Sequence, residues 1–412
     1  MQIRIYRGTE EIGGSCVEIS TKNSKIILDY GTPLSDDSKD INLPSDIDAI
    51  LISHSHQDHF GEILHVSDDV KIYCTKLSKE LINATQIFSG NKELKKNFQT
   101  FKAWESFSIG DFVITPYLVD HSIPDAYAFF IESGNQKILY SGDFRANGRK
   151  SKLFEKMLQD KRLKNLDALL MEGTMINRNN NEFYNEKKVE EKIYQTIKQN
   201  NNLSFIICSS QNIDRIVSAY RASKKANKIF VIDIYTAWIL EKMKIISNSI
   251  PNISWDDVMV VKFRGGSYYQ KIKENQNYFK DYRFNVFKHI VEIDKIKNNP
   301  QKYFLKISPW HIEAVLEYCK FYEANIIYSQ WLGYLDKKYS DKKTVSLYEK
   351  LKQKYNWIYA HTSGHADLKA LQKFTKNLNP KRLIPMHTEY KAEFQKYFDN
   401  VVTLNDNEIF DI

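Results

Sequence analysis

From residue 2 the chain alternates short apolar runs with polar turns. "QIRIYRG" and "CVEIS" carry apolar residues at every second position, and "KIILDYG" has a brief apolar run closed by a turn, so each predicts a strand. "IDAILISH" is a fourth, running into the polar stretch "SHQDHFGE". "KIYCT" follows, and then a lysine-rich pattern predicts helix around residues 76–98. "FVITPYLVDHS", "AYAFFIES", "KILYSGDF" and "ALLMEGT" form a second group of strands. Strands that end in polar residues and pass into loops fit a layered α/β architecture with a site along one edge.

The rhythm changes after "MINRNNNEF", an asparagine-rich connection. Helical patterns then alternate with "LSFIIC", "KIFVID", "VMVVKF", "YFLKIS" and "NIIYS", the βαβ order of a parallel sheet. From about residue 356, "NWIYAHTSGHAD" and "KRLIPMHTEY" return to short strands bearing histidines, as if the first domain resumed. The expected organisation is a first part over residues 1–182, an inserted domain over 183–353, and a second part of the first domain over 354–412.

Composition narrows the class without naming a function. With 42% apolar and 27% charged residues the chain reads as globular, and 59 Lys and Arg against 51 Asp and Glu give a net charge of +8, which suits a polyanionic partner. The start has no apolar signal core, and nowhere is there an apolar run near the ~18 residues that span a membrane. Four scattered cysteines without a CxxC pair read as reduced, buried thiols. The expectation is a soluble cytoplasmic protein.

The stretch "LISHSHQDHFGE" puts His54, His56, Asp58 and His59 within six positions, three of the chain's ten histidines. Imidazole nitrogens and carboxylate oxygens are the donors that zinc and similar divalent ions prefer. A spacing of two lets His54 and His56 point the same way from an extended segment, while Asp58 and His59 turn onward. One loop cannot complete two ions. His121 in "LVDHS", Asp143 in "LYSGDF" and His387 in "LIPMHTE" each end a predicted strand and supply the remaining donors, Asp143 as the bridge.

"HSHQDH" is similar to the H-x-H-x-D-H motif of the metallo-β-lactamase fold, an αββα sandwich, and Asp29 in "ILDYG", His121 and Asp143 match that fold's other motifs in order. The resemblance implies two divalent metal ions, zinc first and manganese second. His54, His56 and His121 would hold one, Asp58, His59 and His387 the other, with Asp143 between them and Asp29 supporting the histidine loop. The inserted parallel α/β domain resembles that of the β-CASP nucleases, and "EIGGSCVEI", "LDYG" and "HTSGHA" resemble ribonuclease J and its archaeal relatives. Motif by motif, Glu172 in "LLMEGT", His365 in "HTSGHAD" and His387 match. One departure stands out: "SSQNIDR" has Asp214 where ribonuclease J has the histidine of "TSN-x-H-R".

What the resemblance implies is a metal-dependent ribonuclease, exonucleolytic from the 5′ end, endonucleolytic, or both. Asp58 and Asp143 would orient the attacking water. His365, held by Glu172, would protonate the leaving oxygen. The turn His361, Thr362, Ser363 and Gly364 would hold a phosphate, and Arg145 would meet the RNA backbone. Single-stranded RNA is the expected partner, with DNA and a second copy of the chain as further candidates (a homodimer in the latter case) and no membrane. The alternatives are a DNA nuclease of the same family and a small-molecule ester or lactone hydrolase.

Overall fold

Residues 1–34, 40–178, 183–198, 202–263, 267–280 and 282–412 are described in a computed structural model. The early strands are β1 (Gln2–Arg7), β2 (Cys16–Ser20), β3 (Lys25–Leu28), β4 (Ala49–Leu51), β5 (Lys71–Cys74) and β6 (Asn97–Thr100), then β7 (Phe107–Ile109), β8 (Phe112–Val119), β9 (Ala126–Ser133), β10 (Gln136–Tyr140) and β11 (Ala168–Glu172). Next come β12 (Ser204–Ile207), β13 (Ile229–Ile232), β14 (Val258–Val261), β15 (Ile290–Val291), β16 (Tyr303–Lys306), β17 (Asn325–Tyr328) and β18 (Asn356–Tyr359), and last β19 (Leu383–Met386) and β20 (Ile409–Asp411).

Two compact units emerge: Met1–Ile82, Leu94–Asn180 and Gly364–Ile412 form the first, Asn83–Glu93 and Asn181–Ser363 the second. The first unit holds two sheets, ordered β20-β1-β2-β3-β4-β5-β6 and β19-β11-β10-β9-β8-β7. Period-two burial builds the layers. Ile26, Leu28, Ala49 and Leu51 face a core shared with Phe129, Ile131, Tyr140 and Leu170 of the other sheet, while Ile27, Ile50 and Ile72 pack on the opposite face with Phe60, Ile63 and Ile82. The second unit has one sheet, β15-β14-β13-β16-β12-β17-β18, parallel throughout. Its central strands are buried along their length, as a sheet covered on both faces requires.

Two expected boundaries shift. Strand β18, read from the sequence as the first domain resuming, pairs in parallel with β17 in the second unit, and the first unit resumes at Gly364. The lysine-rich helix stops at Ser89, and Asn97–Thr100 is strand β6 beside β5, because residues 97–100 complete the sheet edge. The expected boundary at 182/183 adjoins residues 179–182, which lie outside the described residues. All four cysteines are buried and unpaired. Among the described residues no helix is long and apolar enough to cross a membrane.

Candidate metal centre

The predicted donors all leave carboxyl ends of first-unit strands: Asp29 after β3, His54 after β4, His121 after β8, Asp143 after β10, Glu172 closing β11, and His387 after β19. The histidine loop folds onto the β3 turn. Tyr30 N donates to His59 O at 2.8 Å and Thr32 N to Gln57 O at 3.0 Å. At Gly31 a Cβ would lie 1.7 Å from the Asp58 carbonyl, so only glycine lets the two loops meet.

Within this frame the imidazoles are oriented from behind. Asp29, fully buried, accepts from Ser53 N at 2.6 Å, Ser53 Oγ at 2.7 Å, Tyr140 Oη at 2.6 Å and His59 Nδ1 at 2.8 Å. A carboxylate only accepts, so His59 Nδ1 carries a proton toward Asp29, while Nε2 faces the Asp143 carboxylate at 3.1 Å. Ser53 spends its hydrogen on Asp29 and therefore accepts from His54 Nδ1 at 3.1 Å, which leaves the His54 Nε2 lone pair facing inward. His121 does the same by donating Nδ1–H to Gly364 O at 2.6 Å.

Two clusters of donors result. His54 Nε2 lies 2.9 Å and His121 Nε2 3.3 Å from His56 Nδ1. In the second, Asp58, His59, Asp143 and His387 bring one ligand atom each within 4.8 Å of one another. Asp143 joins them: its Oδ2 is 3.1 Å from His59 Nε2, 3.8 Å from His54 Nε2 and 4.0 Å from His121 Nε2. Its other oxygen is buried without a hydrogen-bond partner.

Electrostatics separate the clusters. Burial, reinforced by neighbouring imidazoles, pushes His54 and His121 well below the usual histidine range, and burial takes His56 down to about 4. Those three rings are neutral at pH 7, and the Nε2 lone pairs of His54 and His121 converge on His56, so a cation placed among them would find ready donors. In the second cluster burial opposes charge on His59, but Asp143, Asp29 and Asp58 raise it well above the usual range. Burial would likewise raise the carboxyls. Instead His387, His59 and His365 hold Asp143 well below its ordinary range, and His59 and His387 hold Asp58 down at about 2. Neutral imidazoles in one cluster and ionised carboxylates in the other make a donor set that fits divalent metal.

Two residues at the site hold strained backbone. Asp29 has φ +59° and His387 φ +50°, in the left-handed region that favours glycine. His387 is pinned there by its N–H on Gly8 O, by Gly13 N donating to its Nε2 at 3.0 Å, and by Thr174 Oγ1 2.9 Å from its Nδ1. Sequence reasoning missed Ser53, Thr174 and the Gly13 amide. A serine between a strand and a histidine cluster is the one local signal among them.

Beside the clusters, His365 Nδ1 lies 3.5 Å from Glu172 Oε1 and 3.8 Å from Asp143 Oδ2. Burial lowers His365, but Asp143 and Glu172 raise it, with a net upward shift. Glu172 is 1% exposed and fixed by Thr174 N at 2.9 Å and Ala366 N at 3.1 Å. The helix Leu368–Leu378 is capped by Asp367, so Ser363 is not spent as its cap. His361, Thr362 and Ser363 belong to the second unit and Gly364 to the first. Arg145 is 1% exposed with Nε 3.4 Å from Asp120 Oδ1, an internal ion pair between the His121 and Asp143 loops.

Comparison with known proteins agrees with this geometry. The beta-lactamase superfamily domain matches residues 32–214, and the Zn-dependent metallo-hydrolase RNA specificity domain matches residues 354–403. An RNase J-like protein of Methanocaldococcus jannaschii is 26% identical over 252 residues, 57% of this chain and 58% of that one. A ribonuclease J of Mycoplasma genitalium is 31% identical over 160 residues, 35% of this chain and 28% of its own. The chain thus spans less than two thirds of either relative's length. A solved structure, a protein of unknown function from Enterococcus faecalis V583, shares the fold at TM-score 0.74 and 17% identity, covering 99% of both chains. The donor clusters and the match to a Zn-dependent metallo-hydrolase domain both point to use of a divalent metal.

Proposed function

We propose that the chain is a ribonuclease J-like member of the β-CASP branch of the metallo-β-lactamase superfamily, a cytoplasmic, metal-dependent ribonuclease that hydrolyses phosphodiester bonds of single-stranded RNA. The observation that carries the reading is the Glu172–His365 pair set beside two donor clusters, with Asp143 of one cluster within 4.0 Å of His54 and His121 of the other. His54, His56 and His121 would hold one ion, and Asp58, His59 and His387 the other, with zinc the expected metal. Bound there, the metal supplies acidification of water and neutralisation of phosphoryl charge.

The chain's own groups do the rest. Asp58 and Asp143, ionised at neutral pH, accept hydrogen bonds from the attacking water and orient it. His365, whose charge Asp143 and Glu172 favour, gives its proton to the oxygen leaving phosphorus. Glu172, tied to two backbone amides, keeps that ring in place. The turn His361–Gly364 would hold a substrate phosphate, which supports removal of nucleotides from a 5′-phosphorylated end.

The test is metal-loaded protein on 5′-monophosphorylated RNA and on DNA of the same sequence, with His365→Ala alongside. Stepwise release of mononucleotides from RNA, reduced about a hundred-fold or more in the variant, is the expected outcome. Cleavage of DNA alone would move the substrate to DNA. With metal bound and neither polymer cut, the nuclease reading fails and small esters take its place.

A further inference from the structure

Arg215 is among the largest fully buried side chains, at 0% exposure, in the first turn of the helix Ile213–Lys225 that follows β12. Such a charge needs partners, and Glu186 is one: Arg215 Nη2 lies 3.1 Å from Oε1 and Nε 3.2 Å from Oε2, with Ser218 Oγ donating to Oε2 at 2.8 Å. The rest of the fork is directed at strand ends. Nη1 donates to Ser329 O at 2.9 Å, just past β17, and reaches Ala360 O at 3.5 Å, just past β18. Nη2 donates to Thr362 O at 3.2 Å. Nη1 also lies 3.2 Å from His361 Nδ1, and Ser329 Oγ donates to Ala360 O.

These contacts dictate the turn that leaves β18. The carbonyls of Ala360 and Thr362 both face the guanidinium. In a planar trans peptide the N–H opposes the C=O, so the amides of His361 and Ser363 face away from Arg215. The His361 ring is held close to the same point, its Nδ1 lying 3.2 Å from Arg215 Nη1 and 3.3 Å from Ser329 O. One buried cation therefore sets two amide directions within three consecutive residues.

We propose that Arg215, braced by Glu186, is the positioning residue of a 5′-phosphate subsite formed by His361–Ser363. This rests on the reading of that turn as a phosphate holder. Lysine cannot replace the fork: one ammonium reaches Glu186 or the carbonyls, not the whole set.

The experiment compares wild type, Arg215→Lys and the double variant Arg215→Met/Glu186→Leu, which removes both buried charges together and so avoids stranding one. Each is metal-loaded and assayed on RNA with a 5′-monophosphate, on the same RNA with a 5′-hydroxyl, and on bis(p-nitrophenyl) phosphate, which needs no 5′ subsite. Both variants are expected to raise KM for 5′-phosphorylated RNA about ten-fold with kcat held, the mark of lost uniform binding. Their kinetics on 5′-hydroxyl RNA and on the small diester should match wild type. If wild type prefers 5′-phosphorylated RNA and the variants keep that preference, or lose rate equally on all three substrates, the role given to Arg215 is wrong while the subsite stands. If wild type itself does not distinguish the two RNA ends, the phosphate reading of the turn falls, and the proposal with it.

Discussion

Both units gather polar side chains at the carboxyl ends of their strands, yet the two edges are built on opposite rules. In the first, acceptors crowd together: the Nε2 lone pairs of His54 and His121 converge on His56, and Asp143 keeps a buried oxygen without a hydrogen bond among the described residues. In the second, donors meet acceptors. Lys306, closing β16, donates to Ser210 Oγ and, at 2.9 Å, to Thr236 Oγ1, and lies 3.7 Å from Asp233; Arg215 is matched to Glu186 and three carbonyls. The matched edge closes on itself and holds backbone in place. The unmatched edge is complete only with a cation, and that contrast separates a reactive centre from scaffolding inside one chain.

The comparison breaks most visibly at Asp143. Asp143→Asn removes the charge common to both clusters and is expected to abolish binding of at least one ion and lower ribonuclease activity about a thousand-fold, as read by metal analysis and turnover. Chelation sharpens it next. Stripping metal should speed amide exchange at the loops after β4, β8, β10 and β19 and lower the melting temperature, while protection around Lys306 and Arg215 stays as it was. Lys306→Met attacks the other edge by leaving Asp233 buried without its cation. A loss of about 3 kcal/mol in unfolding free energy, with metal content unchanged, is the expected result of denaturant titration.

The smallest effect belongs to neither edge. Hydrogen bonds from Arg162 and then Tyr117 hold Asp160 down at about 2, below its ordinary 3.8. A lowered carboxyl contributes stability above its unfolded value and loses it as pH falls through the folded one. Asp160→Asn should therefore cost under about 1 kcal/mol at pH 7, since the pair is partly solvated, and the gap should vanish between pH 4 and pH 2.

Much of the first edge was legible because its logic is local. An apolar run that stops at a histidine or aspartate announces both a strand end and its donor, so His54, His121, Asp143 and His387 could be read off directly. Asp29 was legible through its motif. The matched edge was not, since its partners are far apart in sequence: Arg215 meets Glu186 across 29 residues and Thr362 across 147. The pairing of Arg145 was hidden for the same reason. A charge following "GDF" looks solvent-directed until Asp120, 25 residues earlier, is seen beside it. Strand β18 was assigned to the wrong unit because a short run of apolar residues carries no mark of its neighbour, and parallel pairing with β17 decided the matter.

The left-handed backbone at Asp29 and His387 has a consequence for how this fold can change. Each is a place where glycine or asparagine would rest more comfortably, so drift toward stability and drift toward inactivity run in the same direction there. A lineage released from the need for metal would find those two positions among the easiest to lose.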